Sequence, residues 1–290
     1  MDELKIRAGL WLPVFLCAAG IALIVAVVAT AVVVAGGLSV NTMRWSTVVQ
    51  DILMFCAPAV FSAYVISKRP WRFLRLSTSP GIWQIVMAVA AMMAAIPFMN
   101  AVIAWNESLT LPDSLASVEQ WMRASETRAS EATALLFGDY SVVSLFIGIG
   151  LVGILVGFSE EIFFRGGLQN ILCSSGKNPH IAIWVTAVVF SAVHVQFFGF
   201  FPRLLLGAFF GYMMYWSGSL WLAVICHALN NSMVVVSQWA VHNGLKAAST
   251  VETIGTSAQH WPVVVGSLLL TALAITVLYR ISAGRRTSCG

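Results

Sequence analysis

Apolar runs of about twenty residues recur along this chain, and a run of that length crosses a bilayer as a helix. The first covers residues 11–34 and the second 47–67, the latter interrupted by Asp51 and Pro58. A third covers 82–104, and a fourth begins near Val142 and continues through Gly157 into a charged stretch at Glu160. Runs at 180–195, 203–216, 220–239 and 262–281 bring the expected number to eight. Composition agrees. Of the 290 residues, 10% are charged and 59% hydrophobic, with a mean hydropathy of +0.86, whereas soluble domains carry about 25% charged residues. Too little polar surface exists to coat a water-soluble body. The expected fold is all-α: a polytopic membrane helix bundle of about eight transmembrane helices, one transmembrane domain over residues 1–290. A disordered chain, a disulfide scaffold and a nucleic-acid binder are excluded. The first run follows Lys5 and Arg7 as a signal peptide would, but it exceeds the ~7–15 apolar residues of a signal sequence and reads as a retained helix.

Basic residues set the orientation of such a bundle. With both termini inside, the inner side holds Lys5, Arg7, Lys68, Arg69, Arg72, Arg75, Arg165, Lys177, Arg280, Arg285 and Arg286. The outer side holds Arg44, Arg123, Arg128, Arg203 and Lys246, a split of eleven to five. The expectation is a multi-pass cell-membrane protein with cytoplasmic termini. The compact chain, with no retention signal, favours a bacterial plasma membrane. Cys17, Cys56, Cys173, Cys226 and Cys289 form no C-x-x-C and read as free, buried thiols. Cys289 is the penultimate residue, so the chain lacks the prenylation signal itself.

Residues 110–137 form the one long polar interval. Leu115, Val118, Met122, Ala129, Ala132 and Leu136 recur at three- and four-residue steps, and Thr110-x-x-Asp113 could cap the start. An amphipathic helix on the outer membrane face is expected, as a connector or a lid.

Chemistry concentrates in Gly157-Phe-Ser-Glu-Glu-Ile-Phe-Phe-Arg-Gly166. Each ionisable side chain at the centre of a membrane helix costs about 2.5–3.5 kcal/mol, so it needs a partner or a function. Glu161 and Arg165 lie one turn apart and can pair. Glu160 points about 100° away and stays free for proton transfer. Later runs add Phe190-x-x-x-His194 and His227-x-x-x-Asn231, with Asn230 turned off the latter face. A glutamate, two histidines and an asparagine on three helices suit hydrolysis. A desolvated carboxylate can accept a proton from water, and imidazole and amide N–H groups can hold an oxyanion. No serine sits in G-x-S-x-G and no cysteine has a local base.

These three motifs, in this order, resemble those of the CPBP family, the type II CAAX prenyl proteases and bacteriocin-processing Abi proteins. The resemblance covers about residues 142–236. It implies an eight-helix intramembrane endopeptidase of glutamate type without a cofactor. By position Glu160 is the general base, His194 orients and activates water, and His227 and Asn231 stabilise the oxyanion. Glu161, Arg165 and Phe190 support the site. Implied partners are a peptide or membrane-protein substrate and the lipid bilayer, with no nucleic acid. The family's substrates include prenylated proteins and bacteriocin-like peptides.

Two other readings use the same residues. Glu160, His194 and His227 could form a His₂Glu zinc site, although H-E-x-x-H is absent and Glu161 is needed on Arg165. A non-enzymatic scaffold or transporter would use the polar residues as helix glue or a proton path. Depth adds a constraint. Straight, full-length helices would put Glu160 and His194 near opposite faces of the membrane. One common site therefore requires a short, deep fifth helix, or a long or tilted fourth. The site is then expected inside the bilayer, in a water-filled cavity between the fourth to seventh spans.

Overall fold

The computed structural model describes residues 4–174 and 178–284, with the side chains of 247 and 248 excepted; Lys177, Arg285, Arg286 and Cys289 lie outside them. The chain runs through α1 (Ala8–Val34), α2 (Val40–Ile66), α3 (Ile82–Glu107), α4 (Ala116–Phe137), α5 (Val142–Ser174) and α6 (Pro179–Ala192). It continues through α7 (Phe197–Ser217), α8 (Leu220–His242), α9 (Lys246–Thr253) and α10 (Ala258–Ile281). Among the described residues, seven helices are long and apolar enough to cross a membrane: α1, α2, α3, α5, α7, α8 and α10. The expected fifth span, α6, is the exception, with 14 residues. At 1.5 Å per residue it is about 21 Å long, short of a ~30 Å hydrocarbon core.

Local sequence explains the boundaries. Ser39 caps α2, accepting from Thr42 N at 3.2 Å while its own N–H donates to Thr42 Oγ1 at 2.7 Å, so α2 starts at Val40 and not near 47. Asn178 Oδ1 accepts from His180 N at 2.9 Å, and Pro179 supplies the fixed φ that suits a first turn. Left-handed Gly218, with φ +70°, ends α7 and lets α8 begin two residues later.

The bundle is built from inside out by hydrophobicity. In α7 and α8, 44% and 39% of the most apolar window is buried, against 6% in α1 and 11% in α10. The latter two are therefore peripheral helices, α1 packed on α2 and α10 on α3, with Val28, Val32, Leu269 and Leu273 exposed. One core joins α2, α3, α5, α7 and α8 through Ala63, Ala88, Ile162, Met213 and Leu222; a second joins α1, α2, α5 and α6 through Phe15, Phe55, Phe164 and Ala182.

The longest helix carries the motif. α5 has 33 residues and is π-helical over Ile149–Val156 and Ile162–Gln169, on both sides of the α-helical turn Gly157–Glu161. π-helical turns cluster at functional sites because they displace side chains from the regular register. The charged residues do not mark the end of this span, since α5 continues from Glu160 to Ser174.

α4 forms where the amphipathic pattern expects a helix, but its contacts differ. No side chain caps its start, and neither Thr110 nor Asp113 does so. Instead Glu119 Oε2 accepts from Leu111 N at 2.8 Å while Oε1 accepts from Arg123 Nη2 at 2.7 Å, and these donors hold its carboxyl below the usual range. Leu115, Val118 and Trp121 are exposed; the face toward the protein carries Met122, Glu126, Ala129 and Leu136. Arg44 of α2 closes the far end, donating to the carbonyl oxygens of Leu136 and Phe137 at 3.1 and 3.4 Å.

The cysteine expectation is corrected in part. Cys226 is a buried free thiol, and Cys56 is half-buried and free, but free Cys17 is exposed on α1. Cys173 is disulfide-bonded. It lies in the last turns of α5, packed against the second core.

Candidate active site

Two small-residue contacts bring the motif helices together. Gly157 lies against α8 so closely that a Cβ there would sit 3.1 Å from Ala228 N and 3.2 Å from Ala228 Cα. Gly153, one turn earlier, faces Ser232. This G-x-x-x-G face lets the α5 and α8 backbones touch at His227 and Ala228. On α7, Gly207 meets Phe190 and Ala187 of α6 in the same way, and a Cβ there would lie 3.3 Å from Ala187 Cα.

Glu161 and Arg165 pair as their spacing predicts. Arg165 is wholly buried, and its Nη1 donates to Glu161 Oε1 at 2.7 Å. Its Nη2 donates to the Gly207 carbonyl at 2.8 Å, and its guanidinium lies 4.5 Å from the Phe190 ring centre. The pair thus ties α5 to α6 and α7. Glu161 Oε1 also accepts from His227 Nδ1 at 2.8 Å, so the same carboxylate fixes the imidazole of α8. Phe210 stacks on that ring with centroids 4.7 Å apart.

Glu160 turns the other way, into a cavity. His194 Nε2 lies 3.7 Å from its Oε1, and His227 Nε2 lies 3.7 Å from its Oε2. His194 Nδ1 is 2.7 Å from the Phe190 carbonyl, which can only accept. Nδ1 therefore carries a proton, and in the neutral ring Nε2 presents its lone pair toward Glu160. His227 is in the same position, because its Nδ1–H is given to Glu161. Its Nε2 carries a proton only when both ring nitrogens do. Asn231 Nδ2 donates to the Val152 carbonyl at 3.1 Å, and its Oδ1 accepts from Asn230 Nδ2 at 3.3 Å. One amide N–H of Asn231 remains for a ligand. Asn230, expected off this face, also lines the cavity.

The shared depth follows from helix length. Glu160 comes 18 residues after Val142, about 27 Å along α5. Because α6 stops at Ala192, His194 sits well below the end of the bundle from which α5 starts. Val195 then takes φ +54°, a left-handed conformation costly for a β-branched residue, and α7 opens with the 3₁₀ turn Phe197–Gly199. Asn106 of α3 holds this turn from both sides, accepting from Phe201 N at 2.9 Å and donating to Phe197 O at 3.2 Å.

The cavity has a volume of about 910 Å³. Its floor is Glu160, His194, His227 and Asn231, and its walls come from α5, α7 and α8. Two elements beyond the four expected spans close it: α3 through Ile103 and Glu107, and α4 through Arg123, Glu126 and Thr127. Glu126 Oε1 accepts from Phe198 N at 2.9 Å, and Arg123 lies 4.4 Å over the Phe198 ring, so α4 rests on the turn that follows His194. A second, apolar groove of about 450 Å³ runs between α3, α7, α8 and α10 and shares Ile103, Pro202, Leu206, Asn230 and Val234 with the first.

Sequence reasoning missed several participants. Asp51 of α2 is buried and accepts from Ser159 Oγ at 3.0 Å, beside Glu160 in the chain. Its signal was a lone carboxylate inside an apolar run. Arg203 lines the cavity and carried no signal beyond its charge. Gly153 and Gly157 were legible as G-x-x-x-G.

The chain is thus a multi-pass membrane helix bundle whose three motifs meet in one buried polar site. Residues 142–233 match the family model described as Type II CAAX prenyl endopeptidase Rce1-like, which bears out the resemblance read from the motifs. That family is one of CAAX-type intramembrane peptidases, and the match supports a protease with a peptide substrate in the membrane. No curated protein and no solved structure matches this chain.

Proposed function

We propose that this protein is an intramembrane endopeptidase of glutamate type. The observation that carries the reading is the placement of Glu160 between two imidazole nitrogens, 3.7 Å from each, on the floor of an open cavity. A water donating one hydrogen to Glu160 and the other to the bare Nε2 of His194 has its lone pairs free to attack a peptide carbonyl. Glu160 takes the proton as the C–O bond forms. The resulting oxyanion receives the free amide N–H of Asn231 and the Nε2–H of His227, doubly protonated in this step and aimed by its hydrogen bond to Glu161. Glu160 then returns its proton to the leaving amine as the C–N bond breaks. Glu161, Arg165 and Phe190 hold the two imidazoles and do not react.

The apolar groove beside the cavity suits the hydrocarbon part of a substrate, and the family's name points to a prenyl chain on a C-terminal Cys-aliphatic-aliphatic-X peptide. With cytoplasmic termini, as charge asymmetry expects, the cavity opens on the outer side beneath α4. In proteoliposomes, wild type should cleave a farnesylated Cys-aliphatic-aliphatic-X peptide. Glu160→Gln should fold equally well and lose at least about 100-fold in turnover, because it keeps shape and removes the base. A variant that retains more than a tenth of wild-type turnover sinks the assignment.

One observation favours a second reading. Both Nδ1 atoms are engaged, by a carbonyl and by a carboxylate, and both Nε2 atoms face Glu160, as zinc-binding histidines are oriented. Glu160, His194 and His227 would hold the ion, which would polarise the carbonyl and acidify water. Against it, the described residues as placed do not form a three-donor set at ligating distance, and Glu161, the remaining base, is committed to Arg165 and His227. Loss of turnover to a chelator, restored by zinc alone, would establish this reading instead.

A further inference from the structure

Among the described residues the Glu160 carboxyl makes no hydrogen bond, and its two imidazole neighbours lie 3.7 Å away. It is therefore aimed by the backbone of its turn, Gly157–Glu161, the short α-helical piece between the two π-helical stretches of α5. Three residues of that turn are held from outside. Gly157 touches the α8 backbone at Ala228, and Glu161 is bound by Arg165 and His227. Ser159 faces a third way, toward α2. Its Oγ lies 3.0 Å from Asp51 Oδ1 and 2.6 Å from the Leu155 carbonyl oxygen, so one hydroxyl links α2 to the backbone leading into the turn. One turn further along both helices, Phe55 packs on Phe163 and Phe164, with ring centroids 5.5 and 5.8 Å apart. Directly after Asp51, α2 itself becomes π-helical over Ile52–Cys56. Both helices thus leave regular geometry at this contact, as helices do at functional sites.

A carboxyl within an apolar span is costly. Asp51 is 5% exposed, and among the described residues its hydrogen-bond partner is Ser159. One contact with a hydroxyl returns less than that burial costs, so stability is not what the carboxyl supplies. We propose that Asp51 is a positioning residue for the base: through Ser159 it fixes the turn that aims Glu160 into the cavity. This rests on the peptidase reading and adds to it a residue outside the matched segment 142–233.

Turnover of the farnesylated Cys-aliphatic-aliphatic-X peptide in proteoliposomes tests it. Asp51→Leu keeps the bulk of the side chain and removes the contact. It should fold at least as well as wild type, because a carboxyl has left the apolar interior. It should nevertheless lose about tenfold or more in kcat with KM within about twofold, since misplacing a catalytic group acts on the chemical step. Asp51→Asn should keep most of kcat, because its amide can donate to Ser159 Oγ while that hydroxyl donates to Leu155. Ser159→Ala should match Asp51→Leu, and the double variant should be no slower than either. If Asp51 is only helix glue, Asp51→Leu keeps wild-type kcat per folded protein, which overturns the proposal. Losses that multiply in the double variant overturn it too. The position of residue 160 is also read without turnover, from the rate at which Glu160→Cys reacts with a small water-soluble thiol reagent. Adding Asp51→Leu should slow that rate at least about fivefold, while Val234→Cys, on the cavity wall of α8, reacts as before. An unchanged rate at residue 160 overturns the proposal. Slowing there, in a protein that cleaves no peptide as wild type, would uphold the hold of Asp51 on the turn and refute the peptidase.

Discussion

Removal of Arg165 should damage the fold before it damages the chemistry. The guanidinium is wholly buried and serves three partners: Glu161 at 2.7 Å, the Gly207 carbonyl at 2.8 Å, and the Phe190 ring at 4.5 Å. Arg165→Ala leaves the Glu161 carboxylate with His227 alone and the Gly207 carbonyl without its donor. Breaking a buried ion pair from one side costs about 3–5 kcal/mol, a large share of the roughly 5–15 kcal/mol that holds a typical protein folded. Replacing both members is different, because no charge is stranded; apolar or neutral substitutes for a buried pair are often tolerated. The double variant Glu161→Gln/Arg165→Met should therefore recover more than half of the lost stability, with the glutamine Oε1 still accepting from His227 Nδ1. Denaturant unfolding in detergent, followed by tryptophan fluorescence, measures both. An Arg165→Ala protein within about 1 kcal/mol of wild type, or a double variant as unstable as the single one, would refute the reasoning.

Gly157→Ala should fold but push α5 off α8, since its Cβ would lie 3.1–3.2 Å from Ala228 backbone atoms. Overpacking of this kind costs about 1–3 kcal/mol, and turnover should fall further than stability because His227 moves with Ala228. Asn231→Ala should lose about 100- to 1,000-fold in turnover with little change in substrate affinity, as removal of one oxyanion donor does; an effect on affinity alone would remove Asn231 from that role. Cysteines placed at Val156 and Val234, both on the cavity wall, should react with a small water-soluble thiol reagent from the same side of the membrane, and reaction from opposite sides would break the cavity apart. Asp139 anchors the start of α5 through Ser144 Oγ at 2.7 Å and Ser141 N at 3.1 Å, and these donors hold its pKa down at about 2 from 3.8. A lowered carboxyl pKa stabilises above the unfolded value and loses that contribution as pH falls through the folded one. The anchoring should therefore be complete above pH 3.8 and gone below about 2, a change that Asp139→Asn abolishes in a pH-dependent unfolding series.

Much of the site was legible because membrane insertion makes polar residues costly, so each one that remains stands out. Glu161 and Arg165 were paired correctly from their four-residue spacing, since helix geometry alone sets that distance. Phe190 and His194 share a face for the same reason, with ring centroids 5.0 Å apart. Asp51 was visible as a carboxylate but not as a neighbour of Ser159, because 108 residues separate them and no periodicity links α2 to α5. Arg203 was read as a topological charge, since nothing local shows that its helix begins at the cavity mouth.

The sequence by itself determined the solvent, the helices and the chemistry. Apolar runs can satisfy their backbone in a bilayer only as helices, and a glutamate, two histidines and an asparagine were the unspent polar groups within them. Only the tertiary structure decided how those groups meet. The same run of 180–195 could have been a full span, but the Asn178–Pro179 start and the Val195 turn make it a 14-residue helix that stops at depth. The tautomers of His194 and His227 follow from what their Nδ1 atoms touch, a carbonyl and a carboxylate supplied by packing. Spacing along a chain fixes what lies one turn away, whereas contact between helices depends on which faces are small enough to close, and at Gly157 and Gly207 that closure builds the site.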